Sequence, residues 1–265
     1  MKDSYKGLWW ILAIAFILFF IVSAADGKVS FFGYTPKPSA MYACLLGGEN
    51  AAAQPDRPVK VGAVELKEPE TDTVPAIDTV PKTILFFGDS MLEGLSPRLA
   101  AYCQASGHTL YTVIWYSSTS ERWGSSSRLS DYIRRIRPDY IFISLGANEL
   151  FVADIIGKRS RYVRNILRDI GDIPYVWIGP PNWKDDTGVN RMILENAAPG
   201  CFFLSDGMKF DRKKDGAHPT SASARLWMDS VVRWMPGHCA HPILMKEPSG
   251  QSARPARVFI HQPED

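Results

Sequence analysis

The stretch "ILFFGDSMLEG", residues 84–94, decides the reading of the fold. Ile84 to Phe87 form a continuous apolar run of the kind found in a strand buried on both faces. The run stops at Gly88, turns polar at Asp89 and Ser90, and resumes from Met91 as a helix would. An acid and a hydroxyl packed against the end of a buried strand are poor core formers. Two readings fit. Asp89 or Ser90 caps the next helix, or Ser90 is a nucleophile presented at a strand-to-helix turn.

Working outward, the same kind of run recurs at residues 109–116, 140–146, 175–181 and 201–206. Helical stripes lie between the runs. Leu129, Tyr132, Ile133 and Ile136 share one face, as do Ile155, Ile156, Val163, Ile166, Leu167 and Ile170. Trp227, Met228, Val231, Val232 and Met235 give a third stripe. Strand and helix alternate five times, which predicts a parallel sheet with helices on both faces. Right-handed crossovers make this an α/β chain, a three-layer α/β/α sandwich on a five-stranded, flavodoxin-like sheet. That domain spans residues 82–236. Residues 237–265 read as an irregular tail, in which "VFIHQ" (258–262) is a stray strand candidate.

Residues 7–25 carry no charge and are mostly Leu, Ile, Phe, Trp and Ala. About 20 apolar residues span a bilayer as a helix. Lys2 and Lys6 precede the run, which keeps the N-terminus cytoplasmic and exports the rest. Residues 1–25 are therefore expected to be a transmembrane signal anchor, holding the domain on the periplasmic or extracellular side of a membrane. The alternative is a secreted domain, since Ser23-Ala24-Ala25 is a passable signal-peptide cleavage site. Residues 26–81 carry seven prolines from Pro36 to Pro81 and read as a linker. The formal net charge of +2 gives no basis for nucleic-acid binding. Cys44, Cys103, Cys201 and Cys239 lack metal-site spacing. They are either buried thiols or, in an oxidising compartment, disulfide partners.

In parallel sheets, ligands bind beyond the carboxyl ends of the strands. Ser90 follows the first run, Arg122, Trp123 and Gly124 the second, Asn148 and Glu149 the third, Asn182 and Trp183 the fourth, and Asp215 and His218 the fifth. These are the parts of an acyl-transfer site. His218 is the natural base for Ser90, and Asp215 is placed to orient it. Each piece has a plainer reading: a helix cap at Asp89, Ser90, Asn148 or Glu149, or a solvated loop at 215–219. Their order at successive strand ends favours the site. Trp115, Tyr116, Trp123, Phe151 and Trp183 also lie near these strand ends. They serve either as core or as flat surfaces for a sugar, with Trp123 and Trp183 the substrate-binding candidates. Arg212, Lys213 and Lys214 precede the histidine loop, where they attract an anionic polymer or simply solvate the loop.

Gly88-Asp89-Ser90, Gly146-Ala147-Asn148-Glu149 and Asp215-Gly216-Ala217-His218-Pro219 together resemble the motif blocks of the SGNH/GDSL hydrolases. The resemblance covers roughly residues 82–235. It implies a serine esterase with no metal or organic cofactor. By matched position Ser90 is the nucleophile, His218 the general base and Asp215 its orienting acid. The Ser90 N–H and the Asn148 side chain would hold the oxyanion, with Gly124 as a third donor. Two positions depart from the pattern: Met91 stands where Leu is frequent, and Glu149 where Asp is usual. Exported, membrane-tethered members of the family often act on acyl esters of cell-surface polysaccharide. The resemblance thus implies an acylated carbohydrate substrate, most simply an O-acetyl ester. The alternatives are an O-acyltransferase with the same triad, served by a membrane-bound acyl-transfer partner, and a non-catalytic polysaccharide-binding or assembly module.

Overall fold

The structure, a computed structural model, describes residues 75–205 and 207–264. The anchor expected at 1–25, the linker as far as residue 74, and Cys44 lie outside the described residues. Among the described residues no helix is long and apolar enough to cross a membrane.

The first run becomes β1 (Thr83–Gly88), followed by α1 (Leu92–Ser106) and β2 (Thr109–Trp115). Two short helices, α2 (Ser120–Gly124) and α3 (Arg128–Ile136), lead to β3 (Tyr140–Ser144). Next come α4 (Ile155–Ile170), β4 (Tyr175–Ile178), α5 (Val189–Asn196), the two-residue β5 (Phe202–Phe203) and α6 (Ser221–His238). A last strand, β6 (Arg257–His261), closes the order.

All strand pairs are parallel, in the order β5-β4-β3-β1-β2-β6. The sheet therefore has six strands, not five. The sixth comes from the segment expected to be an irregular tail. That segment crosses back along α1: Arg98 holds Asp229 at 2.6 Å and the Gly250 carbonyl at 3.0 Å. The Ala253 and Ala256 N–H groups bond to Pro97 and Leu110 carbonyls. β6 then pairs along β2 from Tyr111↔Arg257 to Trp115↔His261. Its charged residues are tolerable because it is an edge strand, with only one neighbour to satisfy.

Alternation along each strand feeds two cores. On one face Ile84, Phe86, Leu110, Ile114 and Phe142 pack with Leu95 and Leu99 of α1 and Trp227, Val231 and Met235 of α6. On the other, Leu85, Phe87, Val113, Ile141, Ile143 and Trp177 pack with Trp123, Leu129, Val163, Ile166 and Met192 from α2 to α5. This is the expected three-layer α/β/α arrangement.

At β1 the order of strands reverses, with β2 on one side and β3 on the other. A crevice forms at such a reversal, beyond the strand ends. Gly88 closes β1 there, opposite Ser144 of β3. A Cβ at Gly88 would fall 1.9 Å from the Ser144 carbonyl oxygen. Only glycine allows this approach, and the next residue uses it: the Asp89 N–H donates to that carbonyl at 3.2 Å. Gly88→Ala should therefore lower stability by about 2 kcal/mol or more, measured by denaturant unfolding. Gly237→Ala, where an added methyl meets nothing within 4 Å, should leave stability unchanged or slightly raised. Equal stability of the two variants would contradict this account of the turn.

Candidate active site

Asp89, Ser90 and Met91 turn the chain from β1 into α1. The Asp89 carboxylate accepts the Met91 N–H at 3.0 Å, which tightens the turn. Ser90 projects from it, half-buried. The Asp89 and Met91 N–H groups are both engaged, whereas the Ser90 N–H meets no acceptor among the described residues.

The loop before α6 brings the histidine. Asp215 Oδ1 accepts the N–H groups of Ala217 and His218, each at 2.9 Å, so the acid folds back on its own loop. Its other oxygen, Oδ2, lies 2.9 Å from His218 Nδ1. His218 Nε2 lies 2.8 Å from Ser90 Oγ. The tautomer that fits has Nδ1–H donating to Asp215 and Nε2 accepting from the serine hydroxyl. The His218 N–H, then the Ala217 N–H and the imidazole, hold the Asp215 carboxyl down to about 2. Asp215 is thus charged at any working pH.

Asn148 follows β3. One of its two side-chain N–H groups donates to the Ser118 carbonyl at 3.0 Å. That bond orients the amide and leaves the second N–H for a ligand. Ser118 in turn has its hydroxyl near the Gly88 carbonyl, at 3.5 Å, and accepts the Trp123 indole N–H at 3.0 Å. The loop after β2 is therefore tied to both neighbouring strand ends.

Glu149 makes the second tie. Its side chain is fully buried and accepts the Ser120 N–H at 2.8 Å and the Ser120 hydroxyl at 2.7 Å. Burial pushes its carboxyl pKa up, against the pull of the Ser120 N–H, the Ser120 hydroxyl and the Arg159 cation. Glu149 thus pins the start of α2 to the Asn148 loop.

Two expected site residues belong to packing instead. Trp123 has no exposed surface and packs tilted against Phe87, at 4.7 Å, and edge-on to Trp115, at 5.4 Å, so it cannot meet a substrate. Gly124 ends α2 against α4. A Cβ there would lie 2.4 Å from the Tyr162 carbonyl oxygen, and its own carbonyl accepts Asn165 Nδ2 at 2.8 Å. It is a close-approach position between helices, and the oxyanion assignment is corrected accordingly. Trp183 does reach the site's edge. It is half-buried, its indole N–H donates to the Ala147 carbonyl at 3.1 Å, and Phe151 stands edge-on to it at 5.4 Å.

Sequence reasoning did not assign Arg212 a bracing role. Its guanidinium donates to the Ala217 carbonyl beside His218 and, at 3.3 Å each, to the Pro181 and Asn182 carbonyls. It braces the histidine loop against the loop that carries Trp183. Among the described residues no group of His, Cys, Asp and Glu side chains is arranged to hold a metal ion.

No protein-family model and no curated protein matches the chain. Solved structures are similar to part of it. A psychrotrophic esterase from Pseudoalteromonas sp. aligns at 18% identity over 57% of this chain and 94% of its own, with a TM-score of 0.42. A G-D-S-L family protein from Desulfitobacterium hafniense aligns at 14% identity over 57% of this chain and 98% of its own, at 0.43. A salicylyl-acyltransferase from a tetracycline biosynthetic pathway aligns at 16% identity over 59% and 55%, at 0.41. Likeness of this degree carries no argument about activity, which rests on the side-chain geometry.

Asp89 gives that geometry a pH dependence. Burial first, and then the Glu149 charge, push its carboxyl up to about 7, against the pull of the Met91 and Ala147 N–H groups. One of its oxygens, Oδ2, is buried with no partner. An acid whose pKa is raised by folding stabilises the fold while protonated. That contribution is complete below about pH 4 and is lost as pH rises through about 7. Asp89→Asn should therefore flatten the fall in unfolding free energy between about pH 4 and 7, by on the order of 2–4 kcal/mol. A pH slope identical to that of the unmodified protein would contradict the assignment.

Proposed function

We propose that this domain is a serine ester hydrolase of the SGNH/GDSL type, removing O-acyl groups, acetyl above all, from carbohydrate. The observation that carries the reading is the unbroken chain Ser90 Oγ, His218, Asp215, with contacts of 2.8 and 2.9 Å. A helix cap or a solvated loop would not need that chain, which joins residues 128 positions apart.

The chemistry follows from the atoms. Ser90 Oγ attacks the ester carbonyl carbon as His218 Nε2 takes its proton. The carbonyl oxygen becomes an oxyanion, held by the Ser90 N–H and the second Asn148 N–H. Collapse of this intermediate breaks the bond to the sugar oxygen, which leaves with the proton from His218. Water then attacks the acyl-serine, giving one proton to His218; collapse returns that proton to Ser90 Oγ and releases the carboxylic acid, which ionises in solvent. Asp215 stays ionised throughout and stabilises the imidazolium.

A second reading keeps the same acyl-serine step, with a sugar hydroxyl rather than water taking the acyl group. This O-acyltransferase would need an acyl supply, and an anchor at residues 1–25 would place it beside a membrane-bound donor. A non-catalytic binding module fits less well, because it has no use for an aligned imidazole.

In acetate-release and p-nitrophenyl acetate assays of the full chain, Ser90→Ala and His218→Ala should each lower kcat by at least about 10³-fold. Asn148→Ala should cost about 10²–10³-fold and Asp215→Asn about 10²–10⁴-fold. Wild-type turnover in the Ser90 and His218 variants would sink the serine mechanism. Turnover that appears only with a sugar acceptor would select the transferase.

A further inference from the structure

The lip beside the site has features that ester cleavage does not require. Phe151 is 57% exposed. It lies three residues past Asn148 and stands edge-on to Trp183. The Lys184 ammonium sits over both rings, 4.6 Å from the Phe151 centroid and 5.2 Å from that of Trp183. Among the described residues Lys184 has no carboxylate partner. Asp186, two positions on, spends its carboxylate on the Gly188, Val189 and Asn190 N–H groups at the start of α5. The lip is also held firmly, by the Trp183 indole on Ala147 and by Arg212 on the Pro181 and Asn182 carbonyls.

We propose that Phe151, Trp183 and Lys184 form a subsite for a sugar ring bearing a carboxylate, so that the acylated substrate of Ser90 is a uronate-containing polysaccharide. This rests on the reading of the site as a polysaccharide esterase. The exposed Phe151 ring offers an apolar surface to the C–H face of a pyranose, and the Lys184 ammonium, already over the two rings, is favourable there by itself. The ammonium then meets the ring's carboxylate in a charge-assisted contact. An aliphatic chain would gain nothing from this cation and would pay for its desolvation. The subsite adjoins Asn148 through Ala147, so a ring bound there belongs to the unit that carries the ester or to its neighbour.

The test uses the full chain and its Phe151→Ala and Lys184→Gln variants on three substrates: p-nitrophenyl acetate, O-acetylated polygalacturonate and O-acetylated glucomannan, which is neutral. In each variant, kcat/KM for the polyuronate relative to p-nitrophenyl acetate should fall about tenfold, through KM. In Lys184→Gln the preference for polyuronate over glucomannan should fall by the same factor. Unchanged ratios, or equal losses on the charged and neutral polymers in Lys184→Gln, would overturn the proposal. Calorimetric titration of the Ser90→Ala chain with oligogalacturonate separates this from the catalytic reading. Binding that Lys184→Gln weakens about tenfold supports the subsite even if no ester is cleaved. Absence of binding overturns the subsite even where Ser90-dependent esterase activity is found.

Discussion

The site depends on one close approach, that of Gly88 to the Ser144 carbonyl. With no side chain at Gly88, the ends of β1 and β3 meet closely enough for the Asp89 N–H to bond across. This puts the Ser90 turn beside the loop that carries Asn148. A methyl group in the gap would push apart the nucleophile and the amide proposed to stabilise its product. Catalytic groups from separate strands need relative placement within a fraction of an ångström. Here backbone contact between two buried strands supplies it.

Around that contact the loops are held by buried acids rather than by apolar packing alone. Asp89 fastens the turn of Ser90, and Glu149 fastens the start of α2. Both carboxyls are driven up by burial, which costs stability. Hydrogen bonds to backbone N–H groups offset part of the cost and fix the loops in one geometry. Asp215 is the opposite case. It is exposed and held ionised by two backbone N–H groups and the imidazole, as the proposed mechanism requires. Three carboxylates near one serine thus divide into two that position backbone and one that faces the base.

Much of this was legible in the sequence. The five apolar runs announce β1 to β5 because strands in a parallel sheet are buried on both faces. Ser90, Asn148, Asp215 and His218 follow because ligand chemistry gathers at the strand ends. β6 was only a stray strand candidate for the converse reason. As an edge strand, with Arg257, Val258 and Ile260 open to solvent, it lacks a continuous apolar run. Trp123 and Gly124 were misplaced because α2 is a single short helix. Five residues give no readable period, so nothing in the sequence told which way the tryptophan turned. The buried role of Glu149 needs a partner 29 positions away, and no local pattern reports that.

The central claim is that Ser90 is the activated nucleophile. The most direct measurement is active-site titration with an aryl phosphonate ester followed by peptide mass spectrometry. The account predicts one phosphonyl group per chain, on the peptide containing Ser90, lost in Ser90→Ala and strongly slowed in His218→Ala. Labelling of another residue, or a rate unaffected by His218→Ala, would contradict it.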